Sequence, residues 1–434
     1  MTRRLRVAMH RATTAHLCSV YPFQAEIGLG HRGVYLGTNL LTGGGGFAFD
    51  PFEAYQAGFV TNPNLLVAGE PGTGKSSFVK TFIARALAVF GAPAPSPNGR
   101  SSRPTGRWIA IADPKGEYTP LAAALALPVV RLYPGGPSRI NPLDTGPLEG
   151  HAQRDERLRR RTELLAALLG QVLRRELAPL EDAALGWAVQ TLDGTESVPT
   201  LGDVESLLRA PNSAMCDRAR TDAPTLSSRL DAIVYALEKL LDRSLRGMFD
   251  GATTVDIDWH GRGIVLDLSV VHHDDEALRL VLLAATAWLQ NVLARRDGQH
   301  RIQVLDEAWR LLGSERTTRY LQACWKLCRD YGVANIAVVH RLSDLRAQAD
   351  DGTTTAKVSM GLLADTQTRV LFRQASDQLT EARDLLGLNP TETEVLGRLS
   401  RGRALWKVGG RTAVVQHHIS PAEAEMCDTD TRMR

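Results

Sequence analysis

One stretch of nine residues, Gly69 to Ser77, constrains this chain more than any other: Gly-Glu-Pro-Gly-Thr-Gly-Lys-Ser-Ser. It fits the pattern G-x-x-x-x-G-K-[ST]. In that pattern glycines let backbone amides turn inward around phosphate oxygens, and the lysine reaches the outer phosphates. The motif has meaning only between a strand and a helix. Leu65-Leu66-Val67-Ala68 before it is a short apolar run that reads as a buried strand. After it Phe78, Val79, Phe82, Ile83, Ala86, Leu87 and Phe90 recur at helical spacing. The expected phosphate cradle is therefore Gly69, Gly72, Thr73, Gly74, Lys75, Ser76 and Ser77. Lys75 is placed for the β- and γ-phosphates of ATP, and the Ser76 hydroxyl for Mg²⁺.

Further strands end in polar residues: Trp108–Ala112 at Asp113, Ile264–Leu266 at Asp267, Ile302–Leu305 at Asp306, and Ile336–Val339 at His340. Helical patterns lie between most of them. This predicts an α/β fold, a mostly parallel sheet with helices on both faces and ligands at the carboxyl ends of the strands. Residues 150–250 form a long helical stretch between early strands. Two alternating runs around Gly409-Gly410 predict a C-terminal β-hairpin. The organisation expected is N-terminal strands and the first part of the core over 1–149, an all-α insertion over 150–250, and the second part of the core over 251–434. No internal repeat is found.

Among the strand-end carboxylates Asp306 is chosen for the Mg²⁺ side, because Glu307 follows it directly. The first carboxylate holds the metal, and the second orients the attacking water. Asp267 and Asp113 are followed by Leu268 and Pro114 and offer no such pair. Hydrolysis also needs positive charge on the transition state. Arg369 and Arg373 flank a late apparent strand, and either is a candidate finger, with plain surface arginines an equal alternative. His340 and Arg341 are candidates for sensing the γ-phosphate, and His340 equally for a satisfied strand-end residue.

Several features read as structural. Net charge is only +3, which gives no global footprint for nucleic acid. Arg154, Arg157, Arg159, Arg160 and Arg161 read as a solvated helix face. His272-His273-Asp274-Asp275 and His417-His418 read as polar loops. The five cysteines include no C-x-x-C, as expected in a reducing compartment, and Cys324 with Cys328 reads as a buried apolar pair. The apolar helix Ala277–Ala294 is interrupted by Arg279, Gln290 and Asn291 and reads as a core helix, so no membrane-spanning segment is expected.

Four segments taken together resemble a family: the loop at 69–77, Asp113-Pro114-Lys115-Gly116-Glu117-Tyr118, Ile140-Asn141-Pro142-Leu143-Asp144, and Leu305-Asp306-Glu307-Ala308-Trp309-Arg310. In this order they resemble the conjugative-transfer and type IV secretion ATPases of the TraC/TrbE and VirB kind, in the HerA/FtsK superfamily. The late segment Thr368 to Gln374 and the tail from His418 to Asp430 fit the same resemblance. It implies a RecA-like ATPase core with an inserted helical subdomain, using ATP and Mg²⁺. It implies a homo-hexameric ring completed by an arginine from the next subunit, on the cytoplasmic side of a secretion or conjugation channel or peripheral at the membrane's inner face. Alternatives are a DNA translocase or coupling ATPase, which would add DNA as a partner, and a nucleotide-gated scaffold with little turnover. His340 and Arg341 stand where the family often has Gln, and only 68 residues precede Gly69.

Overall fold

The computed structural model describes residue 13 and residues 29–41, 44–91, 106–144, 151–193, 197–244, 246–295, 297–312, 315–340 and 366–427. Arg341, most of the Pro/Gly/Ser-rich stretch at 91–106, the end of the tail and the Cys324 and Cys328 side chains lie outside what is described. The strands are β1 (Val34–Asn39), β2 (Gly45–Phe49), β3 (Leu65–Ala68), β4 (Arg107–Asp113), β5 (Val129–Arg131), β6 (Gly263–Asp267), β7 (His300–Leu305), β8 (Val333–Val339), β9 (Thr368–Phe372), β10 (Arg403–Val408) and β11 (Arg411–His417). They form one sheet in the order β2-β1-β11-β10-β9-β3-β8-β7-β4-β6-β5. From β9 through to β5 every pairing is parallel. From β9 to β2 every pairing is antiparallel.

The parallel half is apolar on both sides because both sides are covered. Every residue of β3, β4, β6 and β8 is buried, as a parallel sheet under helices requires. Alternate residues feed two cores. Leu65, Val67, Ile109, Ile111, Val304 and Val338 pack with α2 (Lys75–Phe90), through Phe78, Phe82 and Ile83, and with α3 (Thr119–Leu125). Leu66, Ala110, Leu266 and Leu305 face the other way, toward α9 (Asp275–Leu293). By length and composition α9 could cross a membrane, but 89% of its apolar window is buried in the fold. It is the core helix expected from its interrupted sequence.

Between β5 and β6 run α4 (His151–Leu173), α5 (Pro179–Leu192), α6 (Leu201–Arg209), α7 (Ser213–Ala219) and α8 (Ala223–Lys239). Leu165, Leu185, Leu201 and Leu230 of these helices join the core that α9 forms with the sheet. The basic segment of α4 departs from expectation in part: Arg154 and Arg159 are exposed, as expected of a solvated face, but Arg157, Arg160 and Arg161 are not. Arg160 and Arg161 are each only 5% exposed, and Arg154, Arg157 and Arg161 converge on the Asp193 carboxylate at the end of α5. It is an internal ion-pair network that ties two helices together. The remaining described helices are α1 (Pro51–Gln56), α10 (Glu315–Leu327), α11 (Leu379–Leu386), α12 (Pro390–Arg398) and α13 (Pro421–Cys427). The hairpin β10–β11 forms as expected, in register from Arg403 opposite Gln416 to Val408 opposite Arg411.

Candidate active site at the carboxyl ends of the parallel strands

The strand order assembles the site. Neighbours β3, β8, β7 and β4 end, in turn, at the Gly69–Ser77 loop, at His340, at Asp306-Glu307 and at Asp113. The loop leaves β3 and enters α2 at Lys75, with Gly74 as N-cap at φ +115° and no side-chain cap. The first amides of a helix have no acceptor within it, so this end is built to receive an anion. Gly69 approaches Phe372 so closely that a Cβ there would lie 2.5 Å from the Phe372 Cβ. The loop is braced from the antiparallel side: the Gly402 amide donates to the Thr73 carbonyl (3.0 Å), and the Glu70 amide to the Arg373 carbonyl (3.0 Å).

Lys75 is buried, and its ammonium donates to the carbonyls of Gly69 (2.6 Å) and Glu70 (2.8 Å). Burial pulls it down to about 8 despite the Asp306 charge. Thr73 Oγ1 donates to the Glu70 carbonyl (2.6 Å), which fixes the loop. Ser76 and Ser77 lie half-buried on the first turn of α2.

Asp306 and Glu307 are 3% and 2% exposed. Burial raises the Asp306 carboxyl, against the opposing pull of Lys115. One of its oxygens accepts from the Glu307 amide (2.9 Å). Glu307 is a non-glycine residue at φ +56°, a left-handed conformation that costs a side chain of order 1 kcal/mol. That bend turns its carboxylate into a group of donors. His340 Nε2 lies 2.6 Å from Oε1, the Lys115 ammonium pairs with the same oxygen, and Arg310 Nε is 3.4 Å from Oε2. Burial pushes the Glu307 carboxyl up, but hydrogen bonds from His340 and Lys115 outweigh it and hold the group far below the usual carboxylate range. Lys115 is raised in turn by its pairing with Glu307, against the effect of its own burial. Asp306, Glu307 and His340 are the one set of potential metal ligands found close together among the described residues. A buried carboxylate pair, a half-buried serine and a helix start without a side-chain cap are groups of the kind that a Mg²⁺-nucleotide needs.

Three contributors, Asp113, Lys115 and Arg310, are not among the site residues expected from the sequence. Asp113 offers no tandem pair, and the structure gives it a different task. Its carboxylate accepts from the amides of Lys115 (3.2 Å), Gly116 (2.8 Å), Glu117 (3.1 Å) and Tyr118 (2.9 Å). Burial raises it to about 6, with the Tyr118 amide opposing. It thereby folds the Asp-Pro-Lys-Gly-Glu turn that carries Lys115 to the end of β7. Arg310 follows in the turn after Glu307 and is also paired with Asp275 (2.6 Å). The contiguity of the 113–118 motif was the available signal.

The two candidate arginines are placed differently. Arg369 donates to the Thr366 carbonyl (3.1 Å) and the Leu386 carbonyl (2.6 Å), and its own burial lowers it. Arg373 is half-exposed at the loop's mouth, with Nε 3.2 Å from the Glu70 carboxylate. His272 precedes the N-cap of α9, Asp274, as a polar turn residue. His417 differs from the polar-loop reading. It ends β11 stacked on Phe78 (4.8 Å between centroids), beside Phe372, and accepts from the Trp406 indole (3.0 Å).

No protein family profile and no curated protein matches the chain. Solved structures do. The chain is similar to VirB4 of Thermoanaerobacter pseudethanolicus, with a TM-score of 0.71 at 21% identity over 92% of this chain and 100% of that one. It is similar to the bacterial conjugative coupling protein TrwB, with 0.58 at 15% identity over 90% of each chain. It is also similar to the plasmid coupling protein TrwB in complex with ADP and Mg²⁺, with 0.54 at 15% identity over 82% of this chain and 86% of that one. The chain therefore has the P-loop α/β fold of VirB4 and TrwB, which bears out the RecA-like core expected from its sequence.

Proposed function

We propose that the chain is an ATP-hydrolysing motor of a type IV secretion or conjugation system, acting in the assembly of the channel or the transfer of its substrate. The observation that carries this is the pairing of an uncapped, lysine-bearing helix start at Lys75 with the buried Asp306-Glu307 pair two strands away. The likeness to VirB4 supplies the system.

ATP is the substrate, held by the amides of Gly72 to Ser76, with Lys75 turned from the loop carbonyls onto its phosphates. Ser76 and Asp306 would hold Mg²⁺, which when bound neutralises phosphate charge. Glu307 orients the attacking water by accepting its hydrogen bond, and His340 keeps that carboxylate in place. Arg373 is the better placed of the two candidate arginines, because Arg369 is held by carbonyls of its own subunit. The working form is a homo-hexamer on the cytoplasmic side of the channel, peripheral to the membrane. The domain division at 149/150 and 250/251 belongs to the same reading.

The likeness to TrwB, a coupling protein, favours one second reading, a DNA-pumping ATPase. Phosphate release is to be measured with Mg²⁺ and ATP, for the wild type and Glu307→Gln, with and without single- and double-stranded DNA. Turnover lost in the variant and indifferent to DNA is expected. Strong stimulation by DNA moves the reading to the DNA pump. A wild type that neither binds nor hydrolyses ATP overturns both, and one that binds ATP without turnover reverts to the scaffold.

A further inference from the structure

Glu307 is the most heavily engaged carboxylate of the site, and one of its partners is not needed to hold it. The backbone at φ +56° and the His340 donor already fix its position. Arg310 has its own counter-ion in Asp275. Lys115 remains: among the described residues its ion pair is with Glu307, and the His340 Nε2 lies 3.1 Å from the same ammonium. The asymmetry of the pair matters. Glu307 is 2% exposed on a strand end, whereas the Lys115 side chain is 27% exposed on a turn. A lysine is a compact charge on a flexible four-carbon stem, so Lys115 is the partner able to move. It also stands near enough to Lys75 for the two ammonium groups to repel.

We propose that Lys115 reads the terminal phosphate of the bound nucleotide, exchanging its ion pair with Glu307 for that phosphate. This rests on the ATPase reading and adds a residue and a coupling to it. A terminal phosphate carries more charge than one carboxylate and presents three acceptor oxygens, so it competes for the ammonium. When Lys115 leaves, Glu307 keeps His340 on the same oxygen, and the acceptor position that Lys115 held there opens to water. The base is thus released by the anion that water will attack, and a diphosphate, which lacks that anion, leaves the pair closed. The Asp113 turn supplies the geometry by fixing the backbone of residues 115–118 with four amide bonds, so that the exchange needs only the Lys115 side chain to swing.

The test is equilibrium binding of fluorescent ATP and ADP analogues with Mg²⁺, read by anisotropy without turnover. Wild type, Lys115→Gln, Lys115→Arg and Lys75→Ala are compared. Lys115→Gln is expected to lose about tenfold in preference for ATP over ADP, the size of one charge-assisted hydrogen bond. Its ADP affinity should stay within about twofold, and Lys115→Arg should restore most of the preference. ATP and ADP affinities that fall together, or a preference that does not change, overturn the proposal. Because Lys115→Gln strips a partner from a buried carboxylate, melting temperatures accompany the binding. The double variant Lys115→Gln/Glu307→Gln, which removes both charges, must show the same loss of preference. The two readings fail differently. A wild type that binds neither nucleotide, or a Lys75→Ala variant that binds like wild type, sinks the ATPase reading and this inference with it. Lys75-dependent binding with an unchanged preference in Lys115→Gln sinks the inference alone.

Discussion

The parallel and antiparallel halves of the sheet divide the work unequally. From β9 to β5 the strands run the same way, and their carboxyl ends carry Lys75, Asp306, Glu307, His340 and Lys115 within one short arc. From β10 to β2 the strands alternate in direction. Yet the antiparallel half also touches the phosphate loop and its helix. Gly402 bonds Thr73, His417 stacks on Phe78 one turn into α2, and Arg85 of α2 is held by the Tyr35 carbonyl (2.6 Å), the His418 carbonyl (2.7 Å) and Glu423 (2.6 Å). One half holds the chemistry, and the other holds the loop still.

The sharpest division is expected from the chemical half. Glu307→Gln should cut turnover by about 100- to 1000-fold while leaving ATP binding intact, as loss of a water-orienting base does. Lys75→Ala should lose turnover by at least about 100-fold and weaken binding as well. Lys75→Ala should melt near the wild-type temperature, and Glu307→Gln below it, because it takes the carboxylate away from Lys115 and His340. Wild-type turnover in Glu307→Gln would remove this glutamate from the mechanism. A collapse of the melting temperature in Lys75→Ala would give that lysine a structural role and erase the division.

Gly69→Ala tests the seam between the halves. The new methyl would lie 2.5 Å from the Phe372 Cβ and 3.2 Å from its Cα, atoms that cannot step aside. Overpacking of this kind costs about 1–3 kcal/mol, and here the strain falls on the loop that must curl around phosphate. Chemical denaturation and nucleotide titration should therefore degrade together. A stable variant with wild-type affinity would mean that the seam yields easily.

What the sequence disclosed follows the same division. The loop and the Asp306-Glu307 pair are contiguous, so a linear reading finds them. The central parallel strands are legible because burial on both faces makes them largely apolar runs, broken only by buried polar residues such as Gln303 in β7 and Asn335 in β8. Contacts that depend on distant residues were hidden. Lys115 meets Glu307 only because β4 and β7 are neighbours, and Arg85 meets Glu423 across most of the chain. Arg154, Arg157 and Arg161 of α4 look like part of a solvated face because Asp193, which gathers them, lies at the end of another helix. His417 and His418 read as one polar unit, but adjacent strand residues point to opposite faces: one enters an aromatic cluster, and the other lies exposed. At three residues β5 is too short to leave a pattern.

Arg85→Ala should act on the supporting half alone. It frees two carbonyls and the Glu423 carboxylate from a half-buried guanidinium. A loss of about 2 kcal/mol in denaturant unfolding is expected, the net worth of about one hydrogen bond to a charged group, because water reaches the remaining partners of this part-exposed guanidinium. The chemical groups are untouched, so saturating ATP should restore near wild-type turnover. Turnover lost without loss of stability would place Arg85 in the chemistry.

The smallest effect is the most specific. Hydrogen bonds from Arg85 hold the Glu423 carboxyl down to about 2, against the usual 4.5, with burial opposing. A carboxyl lowered in the folded state stabilises it fully above the ordinary value of 4.5, and that share is lost as pH falls toward about 2. Glu423→Gln should therefore melt below wild type at pH 7. The gap should narrow as pH drops below about 4.5 and close near about 2. The reason is that protonation converts the wild-type side chain into a neutral one like glutamine. Melting temperatures of the two proteins across that range decide it. A gap that stays constant would mean that α13 is held to α2 by packing and not by charge. The supporting half would then be apolar at its outer edge as well as at its centre.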